Sequence, residues 1–234
     1  VICSDKTGTL TQNQMTVQAI VAGGELYAVS GVGYDPEGAF SRDQQPVDPA
    51  GLPTLHECLL AGLLCNDAVL VADETGEWRV EGDPTEAAMV VAARKAGIER
   101  ETVARQYPRR DVIPFESRYQ YMATLHDGAN GPVVYLKGSV ESILARCRHT
   151  LNGEGAIEPF DARAFHRMAE EVATGGLRVL AFARLEREVS TAELSHDDVA
   201  EGLTFLGLQG MINPPRPEAI EAVQACYGAG IQVK

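Results

Sequence analysis

The chain opens with Val1–Thr11, which reads VICSDKTGTLT. Its first four residues are typical of a buried strand in a parallel sheet. Asp5 follows directly, which places a carboxylate at the carboxyl edge of a sheet, where open α/β folds bind their ligands. Gly8 permits a tight turn that leaves backbone N–H groups facing an anion. A carboxylate in this place can attack a phosphoryl group and form an acyl phosphate. Taken alone, however, an aspartate after a strand can equally be a helix cap or a turn residue.

The complete heptad DKTGTLT (Asp5–Thr11) is the phosphorylation motif of the P-type ATPases, and the chain resembles that family. The resemblance implies that Asp5 is phosphorylated by ATP and that Thr7 offers its backbone carbonyl to Mg²⁺. Asp5, Lys6 and Thr7 are the implied catalytic residues, with Asp5 and Thr7 as metal ligands and ATP and Mg²⁺ as cofactors. A lysine is needed near two approaching negative groups, although Lys6 need not be the lysine that acts.

Thr7 separates two classes of enzyme that share this fold. Dehalogenase-like phosphatases carry a second aspartate two places after the nucleophile, where it acts as general acid and base. Threonine cannot do this at neutral pH, so a long-lived phosphoenzyme and hence a pump are favoured. A soluble phosphatase of that superfamily and a non-catalytic nucleotide-binding module remain the alternatives.

Composition narrows the function further. The 234 residues carry a formal net charge of −13, which argues against nucleic acid as a partner. The longest apolar stretch, near Cys58–Cys65, is far shorter than the roughly 20 residues that span a bilayer. The five cysteines form no CxxC pair, so reduced thiols are expected rather than a zinc site.

The order of predicted elements gives the fold class. We predict an α+β fold in which helices flank an antiparallel sheet, with fragments of a dehalogenase-like α/β phosphorylation domain at both ends. The predicted division is 1–17 in the phosphorylation domain, 18–206 in the nucleotide-binding domain, and 207–234 as hinge and return. The predicted strands are 15–20, 25–29, 69–80 as a hairpin, 111–115, 119–126, 133–137, 178–185, 203–212 and 231–234. The predicted helices are 52–67, 83–96, 139–148, 161–174 and 215–228, with an irregular stretch at 31–53.

Asp83 lies in Gly82–Glu86 (GDPTE), which resembles a family segment whose acidic residue lies near the adenine amino group. The same residues suit a helix start, with Asp83 as N-cap, Pro84 at the first position and Glu86 completing a capping box. Both interpretations can hold together.

Phe115 lies in Pro114–Arg118 (PFESR), which resembles the family segment whose phenylalanine stacks on adenine. The alternative is that Phe115 is a core residue of a strand. The resemblance favours stacking and also implies that Arg118 reaches the phosphates.

Lys137 and Gly138 begin KGSVE, which resembles the family's KGAPE segment, with Ser139–Val140 in place of Ala-Pro. The resemblance implies that the lysine lines the adenine pocket and that the glycine permits close approach of the ligand. Arg178, in GLRVLA, is implied to contact the nucleotide phosphates, for which a guanidinium is well suited. A solvated arginine at the start of a strand is the alternative.

Asn213 lies in Ile212–Glu218 (INPPRPE), which resembles the family's DPPRPE hinge segment. Asparagine replaces the usual aspartate, so a carbonyl oxygen is kept and a charge is lost, and its contact with nucleotide or hinge partners weakens or is unchanged. The connections near 14–18 and 207–215 are expected to act as the hinge.

The resemblance also implies the kind of pump. No histidine precedes a proline, unlike in heavy-metal pumps, and Pro114–His126 and Pro215–Val223 most resemble calcium pumps. Potassium, sodium or proton pumps remain alternatives. The implied partners are ATP and the remaining phosphorylation, actuator and transmembrane domains of the same pump. The resemblance also implies that this chain is a soluble cytoplasmic part of a bacterial plasma-membrane protein. Because the family's GDGxND segment lies beyond Lys234, we expect this fragment to bind ATP with little or no turnover.

Overall fold

A computed structural model describes residues 9–12, 14–73, 78–186 and 193–233, and these contain thirteen strands, six α-helices and a short 3-10 helix at Pro49–Gly51. The strands are β1 (Thr16–Ala22), β2 (Glu25–Val29), β3 (Phe40–Arg42), β4 (Gln45–Val47), β5 (Val69–Ala72), β6 (Trp78–Glu81), β7 (Arg109–Glu116), β8 (Tyr121–Gly128), β9 (Gly131–Gly138), β10 (Cys147–Leu151), β11 (Ile157–Pro159), β12 (Arg178–Glu186) and β13 (Leu203–Ile212). The helices are α1 (Pro53–Leu64), α2 (Pro84–Lys95), α3 (Arg100–Gln106), α4 (Val140–Leu144), α5 (Ala162–Thr174) and α6 (Pro217–Gly228).

One large sheet organises the molecule. Its strands follow the order β4-β3-β2-β1-β13-β12-β9-β8-β7, with antiparallel neighbours throughout. β10 runs parallel to the beginning of β13 and pairs with β11, while β5 and β6 form a separate hairpin. The central pair, β1 and β13, joins segments from opposite ends of the chain.

The two faces of the sheet are covered by different helices, so there are two cores. On one face α1 and α2 pack against residues such as Phe182, while on the other α4 and α5 pack against Phe205. Along β12 the alternation is direct, because Phe182 faces the first core and its neighbours Ala181 and Ala183 face the second. The predicted antiparallel sheet flanked by helices is therefore confirmed. The α/β fragments at both ends stay a prediction, because 1–8 lie outside the described residues.

Most predicted elements are present, and the differences involve short ones. The stretch 31–53 holds β3 and β4, α3 was not predicted, and the predicted helix 139–148 ends at Leu144 so that β10 can begin at Cys147. Three-residue strands and a seven-residue helix carry too few residues for periodicity to show. The predicted strand at 231–234 does not form in 231–233. Within the described ranges, no helix is long and apolar enough to cross a membrane.

The two ends of the described chain leave the sheet side by side. The N–H of Gln12 donates to the carbonyl of Pro214 at 3.0 Å, and the N–H of Arg216 donates to the carbonyl of Leu10 at 2.9 Å. The Arg216 side chain also donates to the Thr11 carbonyl at 3.1 Å. The predicted domain boundaries at 17/18 and 206/207 fall inside β1 and β13, and the division itself stays a prediction.

Candidate functional site

A cavity of about 750 Å³ lies between the first turn of α2, one side of α5 and the ends of β9 and β12. Its lining residues come from five separate segments of the chain. They are Asp83, Thr85, Glu86, Met89, Phe115, Gln120, Lys137, Gly138, Ser139, Val140, Glu141, His166, Ala169, Glu170, Ala173, Arg178, Val179 and Leu180. Five of the seven residues predicted to bind nucleotide are therefore brought together: Asp83, Phe115, Lys137, Gly138 and Arg178.

The start of α2 is fixed by local signals in the sequence. The Asp83 carboxylate accepts from the N–H groups of Thr85 at 2.8 Å and Glu86 at 3.3 Å, and Pro84 occupies the first helical position. Asp83 is thus the N-cap of α2, as predicted. The Glu86 carboxylate, however, does not complete a capping box, because it is engaged elsewhere.

Glu86 pairs directly with Lys137 in the lining of the cavity. The Lys137 ammonium donates to Glu86 Oε1 at 2.5 Å, and their side chains are only 8% and 17% exposed. Glu86 Oε2 accepts from the N–H of Asp67 at 3.2 Å. A buried ammonium needs a carboxylate partner far more than a peptide N–H does, which explains why Glu86 turns toward Lys137.

Gly138 allows the end of β9 to pass very close to the backbone at the start of the neighbouring strand β8. A Cβ atom at this position would lie 2.4 Å from the carbonyl oxygen of Gln120, so a larger residue cannot fit without moving the backbone. Gln120 itself has a φ of 59°, which is uncommon outside glycine. The N–H of Ser139 donates to the same Gln120 carbonyl at 2.9 Å, and this contact fixes the floor of the cavity.

Phe115 and Arg178 occupy the open side. Phe115 is 59% exposed at the end of β7, so its ring belongs to neither core, and the alternative interpretation as a core residue is wrong. Arg178, exposed at the start of β12, donates to Thr85 Oγ1 at 3.3 Å. The cavity lining therefore includes an exposed aromatic ring and an exposed guanidinium.

The other predicted residues lie elsewhere. The Arg118 guanidinium sits over the ring of Tyr119, 5.4 Å from its centroid, and Arg118 is not among the described residues that line the cavity. Asn213 follows β13, and its Oδ1 is buried with no hydrogen-bond partner among the described residues. Asp5, Lys6 and Thr7 lie outside the described residues. Among those described, no cluster of three or more His, Cys, Asp or Glu side chains could hold a metal ion.

The sequence analysis missed one whole wall of the cavity. His166, Ala169, Glu170 and Ala173 line it from α5 at intervals of three and four residues, which is one face of a helix. The helix at 161–174 was predicted, but no local signal in the sequence indicated that this particular face borders a ligand cavity. Only the packing of α5 over β12 and β13 shows it.

Electrostatics divide the cavity into a compensated interior and a charged rim. Inside, Lys137 and Glu86 neutralise each other. At the rim, Glu141 and Glu170 are exposed carboxylates, and Arg178 supplies a cation. Nearby, burial and then the charge of Asp83 raise the pKa of Tyr34, so this phenol stays neutral. The interior thus holds a compensated ion pair, whereas the exposed charges lie at the rim.

Comparison with known proteins gives this arrangement a family. The family model described as "P-type ATPase, cytoplasmic domain N" matches residues 54–218. The chain is 54% identical to the cation-transporting ATPase pma1 of Synechocystis sp., with 100% of this chain and 26% of that protein covered. It is 35% identical to a calcium-transporting ATPase of Bacillus subtilis, covering 99% of this chain and 26% of that protein. A calcium-transporting ATPase type 2C member 1 of Mus musculus is also 35% identical, over 100% and 24%.

The chain spans about a quarter of the length of these relatives. The family model covers more than half of the chain and includes every residue that lines the cavity. The chain therefore belongs to the P-type ATPase cytoplasmic domain N family.

Proposed function

We propose that this chain binds ATP in the cavity between α2 and α5, as the nucleotide-binding part of an ATP-driven cation pump. The observation that carries the proposal is the exposed Phe115 ring at the same cavity as the buried Lys137–Glu86 pair. An aromatic ring left 59% exposed beside a lined cavity is suited to stacking on a base.

Each lining residue has a task in this proposal. Phe115 stacks on adenine, and the carboxylates of Asp83 and Glu86 accept from its amino group. Lys137 and Gly138 form the interior against which the base rests, and Gly138 lets this wall pack closely against the Gln120 carbonyl. Arg178 binds the phosphates at the open rim with its forked N–H donors.

Arg118 and Asn213 have weaker support. For Arg118 to reach the phosphates, its guanidinium has to leave the Tyr119 ring, at the loss of a cation–π contact of about 0.5–1 kcal/mol at an exposed site. Asn213 offers its buried Oδ1, which has no hydrogen-bond partner in the described part of the chain, at the point where β13 ends. We therefore assign Asn213 to the hinge rather than to the base.

In the full-length protein, the bound ATP would phosphorylate Asp5. A carboxylate oxygen of Asp5 attacks the γ-phosphorus, the bond to the bridging oxygen breaks, and ADP leaves. Mg²⁺, held by Asp5 and Thr7, would neutralise the charge of the phosphates. The side-by-side segments at Gln12 and Pro214 would form the hinge that brings the γ-phosphate to Asp5.

The transported ion is proposed to be calcium, because two of the similar proteins are named calcium-transporting ATPases. The chain would then work on the cytoplasmic side of a membrane, joined to the remaining phosphorylation, actuator and transmembrane domains. The proposed division assigns 18–206 to nucleotide binding and both flanking pieces to the phosphorylation domain.

Calorimetric titration of the 234-residue chain with ATP tests the proposal. Phe115→Ala is expected to weaken binding about 10- to 100-fold, because stacking contributes about 1–3 kcal/mol per base. Val112→Ala is the matched control, since Val112 is an exposed apolar residue on the same strand but outside the cavity. If both variants bind ATP as the unaltered chain does, the cavity is not the nucleotide site.

A further inference from the structure

Asn66 is a buried polar residue just after α1, and its side chain is fully hydrogen-bonded. It has no exposed surface. Its Nδ2 donates to the carbonyls of Gly62 at 3.0 Å and Glu86 at 2.9 Å, and its Oδ1 accepts from the N–H of Ala68 at 2.8 Å. Three backbone contacts by one buried carboxamide tie the end of α1 to the first turn of α2.

The residue after Asn66 holds the same glutamate at a second point. The N–H of Asp67 donates to Glu86 Oε2 at 3.2 Å, while Glu86 Oε1 accepts from Lys137 at 2.5 Å. The backbone and the carboxylate of Glu86 are thus both fixed from the segment that follows α1. Whatever moves this segment also moves the partner of Lys137.

The segment Asn66–Ala68 is itself anchored by two arginines. Arg109 donates to the carbonyl of Asn66 at 2.8 Å and to Asp67 Oδ1 at 2.6 Å. Arg100 donates to the carbonyls of Asn66, at 3.4 Å, and of Ala68. Guanidinium groups therefore satisfy carbonyls just past the helix end, where backbone groups lack helical partners. The anchorage gives Asn66 a fixed frame from which to hold α2.

We propose that Asn66 is a positioning residue of the nucleotide site, which holds Glu86 and through it sets the place of the Lys137 ammonium at the cavity. Asn66 is not among the described residues that line the cavity, so in this proposal it acts without contacting the nucleotide. The long lysine stem has several rotamers, so a fixed carboxylate is needed to keep its ammonium in one place. This inference rests on the proposed ATP binding at this cavity.

A double-mutant cycle tests this positioning role. ATP affinity is measured by calorimetry for the unaltered chain, Asn66→Ala, Glu86→Gln and the double variant. We expect Asn66→Ala alone to weaken binding about fivefold and to have less than about a twofold effect once Glu86→Gln is present, because residues acting through one another are not additive. A loss of the same size in both backgrounds would overturn the proposal, since a merely structural residue gives that result.

Gln209 supplies the matched control. It is also fully buried, and its Nε2 donates to a carbonyl of α1, that of Cys58, at 3.1 Å, but it lies outside the cavity lining. Gln209→Ala is expected to lower the thermal midpoint as Asn66→Ala does and to leave ATP affinity within about twofold. Equal losses of affinity in the two variants would contradict a specific role for Asn66.

Arg109→Met provides a second route should Asn66→Ala fail to fold. Arg109 is 31% exposed, so its removal loosens the segment with less damage to the core. A weaker, Glu86-dependent loss of about threefold is expected, and an unchanged affinity would overturn the proposal. If the unaltered chain binds no ATP, the proposed function fails; if it binds and only the Asn66 and Arg109 variants are neutral, the positioning role alone fails.

Discussion

Two buried ion pairs lie on the same face of β9 and β12 and differ in what surrounds them. Lys137 on β9 pairs with Glu86 of α2, and Arg184 on β12 pairs with Glu57 of α1 at 2.7 Å. Tyr135, two residues before Lys137 and therefore on the same face, donates to Glu57 at 2.9 Å. The chemistry is similar, but Lys137–Glu86 lines the cavity and Arg184–Glu57 does not.

The Arg184 cluster lies outside the cavity lining, and we call it the closed cluster. Arg184 also pairs with Glu186 at 3.0 Å. Burial lowers the pKa of Arg184, but the charge and hydrogen bond of Glu57, together with Glu186 and Tyr135, outweigh it. The net pKa is raised and the guanidinium stays charged. Burial, and then the charge of Glu57, raise the pKa of Tyr135, so the phenol keeps the proton that it donates. This cluster holds the strands to α1.

The comparison separates a structural ion pair from a site. The Lys137 ammonium has three N–H donors, and one acceptor in the described structure is Glu86. Because Lys137 also borders an open cavity, a ligand can take up further donors there. We infer that removing the closed pair affects stability first, whereas removing the open pair affects binding first.

The largest expected effect is on stability. Arg184→Met leaves Glu57 without its cation at a site where both side chains are under 20% exposed, and the free energy of unfolding should fall by about 3 kcal/mol. Urea denaturation measures this, and ATP affinity should stay within about twofold. Arg148→Met is the control, because Arg148 and Glu201 form an exposed pair that contributes less than about 1 kcal/mol. Equal losses in the two variants would remove the distinction between the clusters.

Lys137→Met should lower ATP affinity more than it lowers stability, the reverse of the order expected for Arg184→Met. ATP affinity is expected to fall about tenfold, which is a loss of about 1.4 kcal/mol of binding free energy. The reason is that the Lys137 ammonium lines the cavity directly. The free energy of unfolding should fall by less than for Arg184→Met, since Glu86 gains access to water through the cavity. Calorimetry and urea denaturation on the same preparation check both expectations. A larger loss of stability than of affinity would make Lys137–Glu86 a second structural pair.

The smallest expected effect is the pH dependence of stability that arises from His126, which packs beside Tyr135 of the closed cluster. Burial lowers the pKa of His126 to about 4, and its ring meets Tyr135 edge-on with centroids 6.0 Å apart. An unfolded histidine titrates near 6.5, so the unfolded state binds the proton more readily and stability falls as pH drops from about 6.5 toward 4. One pH unit in this window should cost about 1 kcal/mol.

His126→Phe should flatten this pH dependence. Denaturation midpoints at pH 6.5 and 5.5 measure it, and the exposed His149 provides His149→Phe as the control. If His126→Phe keeps the same dependence of stability on pH as the unaltered chain and the His149→Phe control, then water reaches the His126 ring and this ring is not in a dry part of the core.

The parts that sequence could predict are those with local signals. The N-cap at Asp83 and the long strands β8, β9, β12 and β13 follow from capping residues and alternation over several positions. Motifs matching a known family also identified Phe115 and Lys137, both of which line the cavity. Their roles with a nucleotide stay a prediction.

What sequence could not predict depends on contacts between distant residues. The spacing of Asp83 and Glu86 predicts a capping box, because that pattern involves only residues three positions apart. The actual partner of the Glu86 carboxylate, Lys137, is 51 residues away in the sequence. The same holds for the α5 wall with His166 and Glu170, and for Asn66, whose contact with Glu86 spans 20 residues. The motif predicts a phosphate contact for Arg118 but gives no information on the cation–π contact that Arg118 makes with the ring of Tyr119.

The central claim is that nucleotide binds where the open ion pair meets Phe115. Backbone amide spectra of isotope-labelled chain, recorded during titration with ATP, test it most directly. The account predicts that the largest shifts fall on the residues around Phe115, Lys137 and Arg178 and on the first turn of α2, while β12 near Arg184 stays unchanged. Shifts concentrated around Arg184 and Glu57, or at the paired chain ends, would contradict it.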